Sequence, residues 1–314
     1  MLRLRKMSWG LKNQRMNKFH EPVLLNESVS GLNINPSGVY VDATFGGGGH
    51  SKQILNKLKS GRLIAFEQDR VALKNDIKDE RFIVINKNFR YLKKELALMG
   101  VSAIDGLIAD LGVSAYHFTD NNRGFSLKYD ARIDMRMNNQ LEKDGVFVLN
   151  MYSRKNLSRI FRDHADFKNP KSIVDAIINS RSKGTINSTF QLKSICLKLS
   201  PINNNNKFFA RIFQAIRIEV NDEIGALKEL LKQCLDILNP SGRIVVISYH
   251  SIEDRIVKSF MKFGNFLNSP AKDFFGNELK SFQLINKKPI VPSAAEIRFN
   301  SKSRSAKLRV CEKI

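Results

Sequence analysis

The sequence predicts an α/β fold: a parallel sheet covered by helices on both faces and interrupted by a block of helices. Three observations predict it. Strand-like runs alternate with helical patterns up to Asp110, as in consecutive βα units. The first strand, Val39–Asp42, runs straight into the glycines Gly46–Gly49. No strong strand follows from about 115 to about 208, after which a fifth appears at Arg243–Ser248.

In chain order, strands are expected at Val39–Asp42, Arg62–Glu67, Phe82–Asn86, Asp105–Asp110 and Arg243–Ser248, where apolar runs end in polar or turn residues. Helical spacing places helices at Ser51–Leu58, Arg70–Asp76 and Arg90–Met99 between the first four. In the gap, Leu157–Phe161, Ser172–Ile178 and Phe190–Leu199 have helical spacing, and Asn203–Asn206 reads as a low-complexity loop. Two helices follow, Ala210–Arg217 and Glu223–Leu238, broken near Val220-Asn221-Asp222, where Asn221 or Asp222 can cap the second. Asn239-Pro240-Ser241-Gly242 reads as a tight turn into the fifth strand, and Lys307–Val310 as a closing strand. The domain division is therefore a basic arm or mis-annotated start at 1–18, a sheet domain at 19–114 and 209–314, and a helical insertion at 115–208.

Composition narrows the function. With 52 Lys and Arg against 30 Asp and Glu, the 314-residue chain carries a formal charge of +22. Such an excess suits a polyanionic partner, although a Lys- and Asn-rich composition alone also raises it. Cys196, Cys234 and Cys311 are far apart and form no CxxC pair, which speaks against a disulfide or zinc scaffold and for a reducing, cytoplasmic compartment. The five histidines lack metal-ligand spacing, so no metal is expected. No apolar run reaches membrane-spanning length and the start has no secretory signal, so no membrane partner is expected either.

The glycine loop matches neither the dinucleotide GxGxxG spacing nor a phosphate-binding loop with its lysine and hydroxyl. It still lets a ligand approach backbone, and Asp42 ahead of it suits a cofactor with a cationic end, such as S-adenosylmethionine. Glu67, closing the second strand, can accept ribose hydroxyls. Phe89, after the third strand, can pack on an adenine ring. Asp110 ends the fourth strand at the carboxyl edge, where substrates sit, and can orient an exocyclic amine. It is the first catalytic candidate. Tyr249–Arg255 follows the fifth strand with several polar groups, and no GxSxG elbow exists to make it a hydrolase. His250 is read there as a second catalytic candidate, near the amine. Arg123, Arg132 and Arg136 lie in loops near the same mouth and can meet phosphate.

These segments resemble one family. The motifs Asp42–Ser51, Asp110–Ser114, Arg123–Ser126, Asp134–Met137, Phe213–Ile218, His250–Lys258 and Ser305–Arg309, together with His20–Leu25, occur in order. They resemble the bacterial small-subunit (16S) ribosomal RNA cytosine-N4 methyltransferases, and Lys272–Gly276 resembles their Bacteroidetes branch. The resemblance implies a class I S-adenosylmethionine-dependent methyltransferase domain with a Rossmann-like sheet, interrupted by a helical substrate-recognition domain. It implies N4-methylcytidine at the decoding centre as product and 16S rRNA in the assembled small subunit as partner. A homodimer is left open. By position, Gly48, Gly49 and His50 match the family's cofactor loop, Glu67 its ribose acid, Phe89 its adenine-side residue and Asp110 a further cofactor contact. His117 falls where most members carry Gln at the cofactor site. Glu253 and Arg255 fall in the motif after the fifth strand, assigned to substrate. Departures are Glu67 for Asp, Ala115 for Ser, Phe161–His164 in place of a Tyr-Gly-Glu pattern, and Asn300–Arg304 in place of Asn-Pro-Arg-Ala-Arg. Two rivals stand beside this reading. One is an amino-methyltransferase of DNA or protein, against which the missing Asp/Asn-Pro-Pro-Tyr/Trp segment counts. The other is a non-catalytic RNA-binding assembly factor.

Overall fold

A computed structural model describes residues 22–75, 77–113, 117, 120 and 122–314. The basic arm, His20-Glu21, Asp76, Ser114 and Ala115 lie outside the described residues. The first half of the sheet domain is built from α1 (Leu25–Gly31), β1 (Val39–Asp42), α2 (Gly49–Leu55), β2 (Arg62–Phe66), β3 (Phe82–Ile85), α3 (Leu92–Leu98) and β4 (Ile104–Asp110). Helices α4 (Gly145–Met151), α5 (Arg154–Asp163), α6 (Lys171–Arg181), α7 (Thr189–Cys196), α8 (Asn205–Asn221) and α9 (Glu223–Ile237) follow. The chain then returns to the sheet through β5 (Leu238–Ser248) and α10 (Ser251–Phe263). It ends with the short strands β6 (Ala271–Lys272), β7 (Glu278–Leu279) and β8 (Phe282–Leu284), then α11 (Ala294–Phe299) and β9 (Lys307–Lys313).

Seven strands form one sheet in the order β3-β2-β1-β4-β5-β9-β8. β1 to β5 pair in parallel, and β9 runs antiparallel between β5 and β8. Alternation along the strands decides which helices cover which face. Val41, Ile64, Phe66, Leu107, Ala109, Ile244 and Val246 pack with Leu96, Leu230 and Phe260 of α3, α9 and α10. Tyr40, Leu63, Ala65, Ile108, Val245 and Ile247 pack on the opposite side with Val29, Ile54 and Leu55 of α1 and α2. A separate apolar cluster runs from Phe125 to Val220, and includes Phe209, Ile212, Phe213 and Ile216 of α8. α8 therefore packs with the helices before it, while α9 packs on the sheet.

Local chemistry shifts several expected boundaries. The helix expected at Arg70–Asp76, whose last residue lies outside the described ones, is replaced over Ala72–Asn75 by a 3₁₀ turn. Asp69 Oδ1 accepts from the Val71 amide at 3.0 Å, a local bond that competes with helix formation. The α8–α9 break is real, but neither Asn221 nor Asp222 caps by side chain: Asp222 turns the chain through φ 47°. The segment Asn239–Gly242 is not a turn ahead of the strand. It is a looped-out turn inside β5, where pairing with β4 steps from Leu238 to Arg243 against Ile104 to Gly106 and Ser241 takes φ 64°. Asn205 and Asn206 begin α8 instead of ending a loop. The helix Gly145–Met151, capped by Asp144, was not legible beforehand. No helix among the described residues is long and apolar enough to cross a membrane.

Candidate active site

The carboxyl ends of β1, β2, β4 and β5 converge on one mouth. After β1 the backbone stays tied to the sheet, with the Ala43 amide donating to Ile108 O and the Phe45 amide to Phe66 O. The loop then turns at Gly48, φ 73°, where a Cβ would sit 3.0 Å from the Phe45 ring. A Cβ on Gly49 would sit 2.0 Å from the Pro22 ring, so side chains at these two positions would push the loop out of place. α2 starts at Gly49 and presents His50, which is 6% exposed. Its Nε2 is buried without a hydrogen-bond partner, which leaves it open to a ligand or an ordered water.

Three carboxyls frame the loop. Asp42 is fully buried and accepts from the Thr44 amide (3.0 Å) and the Ser51 hydroxyl (2.7 Å). Burial pushes its pKa up, against the pull of His50, Ser51 and Thr44. Glu67 accepts from the Gly46 amide at 2.9 Å and the Asp69 amide at 2.7 Å, so it fixes the loop as well as facing it. Burial raises its pKa to about 7, these two amides opposing. Asp110 Oδ1 accepts from the Tyr249 hydroxyl at 2.7 Å, its Oδ2 lies 4.0 Å from His50 Nδ1, and its amide donates to Thr44 Oγ1. Burial lifts its pKa to about 6, with His50 and Tyr249 holding it down and the Asp42 and Glu253 charges adding to the rise.

A second group of polar contacts joins the sheet edge to the loops between β4 and α4. Asp69 receives Arg123, and His117 Nε2 lies 2.9 Å from its carboxylate. Burial opposes ionisation of Asp69, yet His117 and Arg123 hold its carboxyl well below the usual range. Arg123 also donates to the carbonyls of Arg136 and Met137. Gln68 reaches Met137 Sδ at 3.0 Å, and Asn88 donates to Gln68. Phe89 follows Asn88 in a 3₁₀ turn, half-buried against the core.

The segment after β5 is a helix cap. His250 Nδ1 accepts from the Glu253 amide, and Glu253 Oε2 accepts from the Tyr249 amide, a close variant of the capping box. His250 Nε2 lies 3.2 Å from Glu253 Oε1. Burial works to raise the Glu253 carboxyl, but His250, the Tyr249 amide and Arg217 carry it below its ordinary value. Glu223, His250 and Glu253 bring their donor atoms within 4.8 Å of one another. Arg217 binds Glu223 through two hydrogen bonds, at 2.8 and 2.9 Å, so the charge of this cluster is met within the chain.

Of the residues singled out from the sequence, the fold gathers Asp42, Gly48, Gly49, His50, Glu67 and Asp110 around the loop. Asp69 links His117 and Arg123 to it, and Glu253 and His250 border it. Arg136 is folded back onto Asp134 and the Leu141 carbonyl. Arg132 and Arg255 stay outward, 58% and 59% exposed, paired with Asp144 and Asp166. Sequence reasoning passed over Asp69 and the Tyr249 hydroxyl. Both stand at carboxyl ends of strands, which is the signal that marks them.

A parallel sheet with one antiparallel strand inserted next to its last, a glycine loop after the first strand and an acid after the second define a class I S-adenosylmethionine-dependent methyltransferase. The chain belongs to the MraW methylase family, whose match spans residues 17–314. It is 49% identical over 298 residues to the ribosomal RNA small subunit methyltransferase H of Flavobacterium johnsoniae, covering 95% of this chain and 98% of that protein. The protein of the same name from Amoebophilus asiaticus is 47% identical over 303 residues, covering 96% and 98%. Among solved structures, an rRNA methylase from Streptococcus thermophilus is 12% identical at a TM-score of 0.39, over 92% of this chain and 93% of that one. That likeness is too faint to bear on the site.

Proposed function

We propose that the protein transfers the methyl group of S-adenosylmethionine to the exocyclic N4 of a cytidine in 16S ribosomal RNA, at the decoding centre of the small subunit, in the cytoplasm. The observation that carries the reading is the meeting of His50, Asp110 and Tyr249 beside the glycine loop. It stands in a chain close to relatives named for small-subunit ribosomal RNA methylation. When bound, S-adenosylmethionine supplies an electrophilic methyl carbon on a sulfonium. The residues fit that cofactor: the backbone at Gly48 and Gly49 would admit it, His50 Nε2 would offer it a hydrogen bond, Glu67 would turn its remaining lone pairs to ribose hydroxyls and Phe89 would pack against the base. Asp42 braces the loop from behind through Thr44 and Ser51, and His117 acts through Asp69.

Asp110 takes the catalytic place. Its carboxylate accepts an N–H of the cytosine amine and turns the nitrogen toward the methyl carbon, while its charge stabilises the developing positive nitrogen. The Tyr249 hydroxyl fixes which oxygen is free to do this. The methylated amine is acidic and loses its proton late, so no strong base is needed. His250 is committed to the cap, where it accepts from the Glu253 amide, and the Glu253 carboxylate in turn holds the Tyr249 backbone. Arg123 and Arg136 brace the mouth internally; Arg132 and Arg255 are left to meet RNA phosphate. The helices packed on α8 form the substrate platform, and the target base leaves its stack to enter between them and the sheet edge.

Methyl transfer from labelled cofactor to unmethylated small subunits, bare ribosomal RNA and DNA, with mass-spectrometric mapping of the product, tests the reading. N4-methylcytidine in the subunits is the expected result. Methylated DNA would favour the other enzyme class, and absence of cofactor binding the assembly-factor rival. Asp110→Asn should lower turnover more than RNA affinity; unchanged turnover would remove Asp110 from catalysis.

A further inference from the structure

Between α10 and β8 the chain builds a feature that methyl transfer does not use. α10 leaves the carboxyl end of β5 and runs back toward the strand starts. Before β8 begins, opposite Lys313, the chain makes the two-stranded ribbon β6–β7. The turn of this ribbon holds Phe274 and Phe275 in water, 98% and 85% exposed. Their rings meet edge to face at 5.7 Å.

The turn is pre-organised. Asp273 Oδ1 accepts from the Phe275 and Asn277 amides at 2.9 and 2.8 Å, its Oδ2 from the Asn277 side chain, and the Gly276 amide donates to Asp273 O. The foot is anchored as well, since Phe266 stacks on the buried Phe260 at 5.3 Å. Two large rings held outward on a locked turn bury nothing within the chain and mark a contact surface.

The charge around the ribbon identifies the kind of partner. Lys228 and Lys232 reach over the Phe266 ring at 5.7 and 6.0 Å, and Lys262 lies 4.6 Å from the Phe263 ring. Lys272 lies on the ribbon itself and Lys280 just after it. Among the described residues none of these five lysines is within ion-pair distance of a carboxylate, whereas Lys93 and Lys307 are paired. Asp273 is spent inside the turn, leaving Glu278 as the ribbon's other acid. An apolar protein groove would cover the rings and leave the lysines unmatched. An RNA strand with unpaired bases answers both, through stacking and through phosphate.

We infer that the β6–β7 ribbon is a second RNA-binding surface, on which unpaired bases stack against Phe274 and Phe275 while the surrounding lysines hold the phosphates. It rests on the reading of ribosomal RNA as substrate and adds an anchor apart from the residues that form the mouth.

The test compares the full-length protein with Phe274→Ala/Phe275→Ala and Phe274→Tyr/Phe275→Tyr, in steady-state methylation of small subunits and in direct binding to them. The alanine pair should raise KM and the subunit Kd about tenfold, the scale of losing one stacked base. kcat and cofactor affinity should stay unchanged, and the tyrosine pair should behave as wild type. A photo-crosslinking residue at position 275 should capture ribosomal RNA. An alanine pair that binds subunits like wild type overturns the inference, as does capture only of a ribosomal protein or of a second copy of the chain. Wild-type protein that binds subunits through the ribbon but transfers no methyl group would fail the proposed activity and leave the ribbon standing.

Discussion

Glu67 shows how one carboxyl can serve binding at a cost in stability. Burial lifts its pKa to about 7 although it accepts two amide bonds. A carboxyl raised in the folded state favours folding below its unfolded pKa, and that contribution is lost as pH rises through the folded value. The wild-type denaturant midpoint should therefore fall between pH 5 and pH 8 by more than that of Glu67→Gln, which has no carboxyl to ionise but keeps only one oxygen for the two amides at any pH. Ribose hydroxyls donating to Glu67 favour its charged form, so cofactor binding releases a proton there. Wild-type cofactor affinity should fall as pH drops below 7, and titration calorimetry should find this dependence lost in Glu67→Gln. A flat wild-type profile between pH 6 and 8 would separate Glu67 from the ribose. The position of this acid was legible because strand ends in open sheets bind ligands. Its double grip on the loop was not, since which backbone amides converge on a side chain depends on the loop's path and not on its composition.

The junction between α8 and α9 sets the mouth at the scale of elements. Asn221, at the end of α8, accepts from the Met137 amide at 2.7 Å and donates to the Met135 carbonyl at 2.7 Å and the Arg217 carbonyl at 2.9 Å. Arg90, after β3, closes the other side by binding Asp222 and Glu229. Asn221→Ala would leave the buried Met137 amide without a partner and should destabilise the protein by about 2 kcal/mol. Limited proteolysis should then cut the 134–141 loop faster, and wild-type cutting rates would show that the clip is dispensable. The sequence announced the break at Val220-Asn221-Asp222 through its polar residues, yet suggested a cap where the chain uses a left-handed turn and a clip. Helices such as α5 and α6 are readable from their apolar spacing, and the first five strands from short apolar runs that end in polar or turn residues. The ribbon β6–β7 and β8, of two or three residues each, carry too few positions for any period to register.

At the scale of the whole molecule, the charge of +22 is distributed over a body in which many of the described acids are already held in ion pairs around the mouth and the helices. Affinity for small subunits should therefore fall steeply between 50 and 200 mM salt, roughly as a power of the salt concentration set by the phosphates engaged, while cofactor affinity barely moves. Equal sensitivity of both would trace the charge to composition alone. The order of the strands bears on how such a protein comes into being. β9, the last of the described elements, lies inside the sheet between β5 and β8 and pairs with both. Its contacts with β5 join parts of the chain far apart in sequence, which slows folding. A nascent chain must emerge through Lys313 before those two strands can be bridged, so until then its sheet keeps an unpaired edge beside β5. The sheet is thus complete only once β9 has been made, and a chaperone that shields the β5 edge has its window of action before that moment.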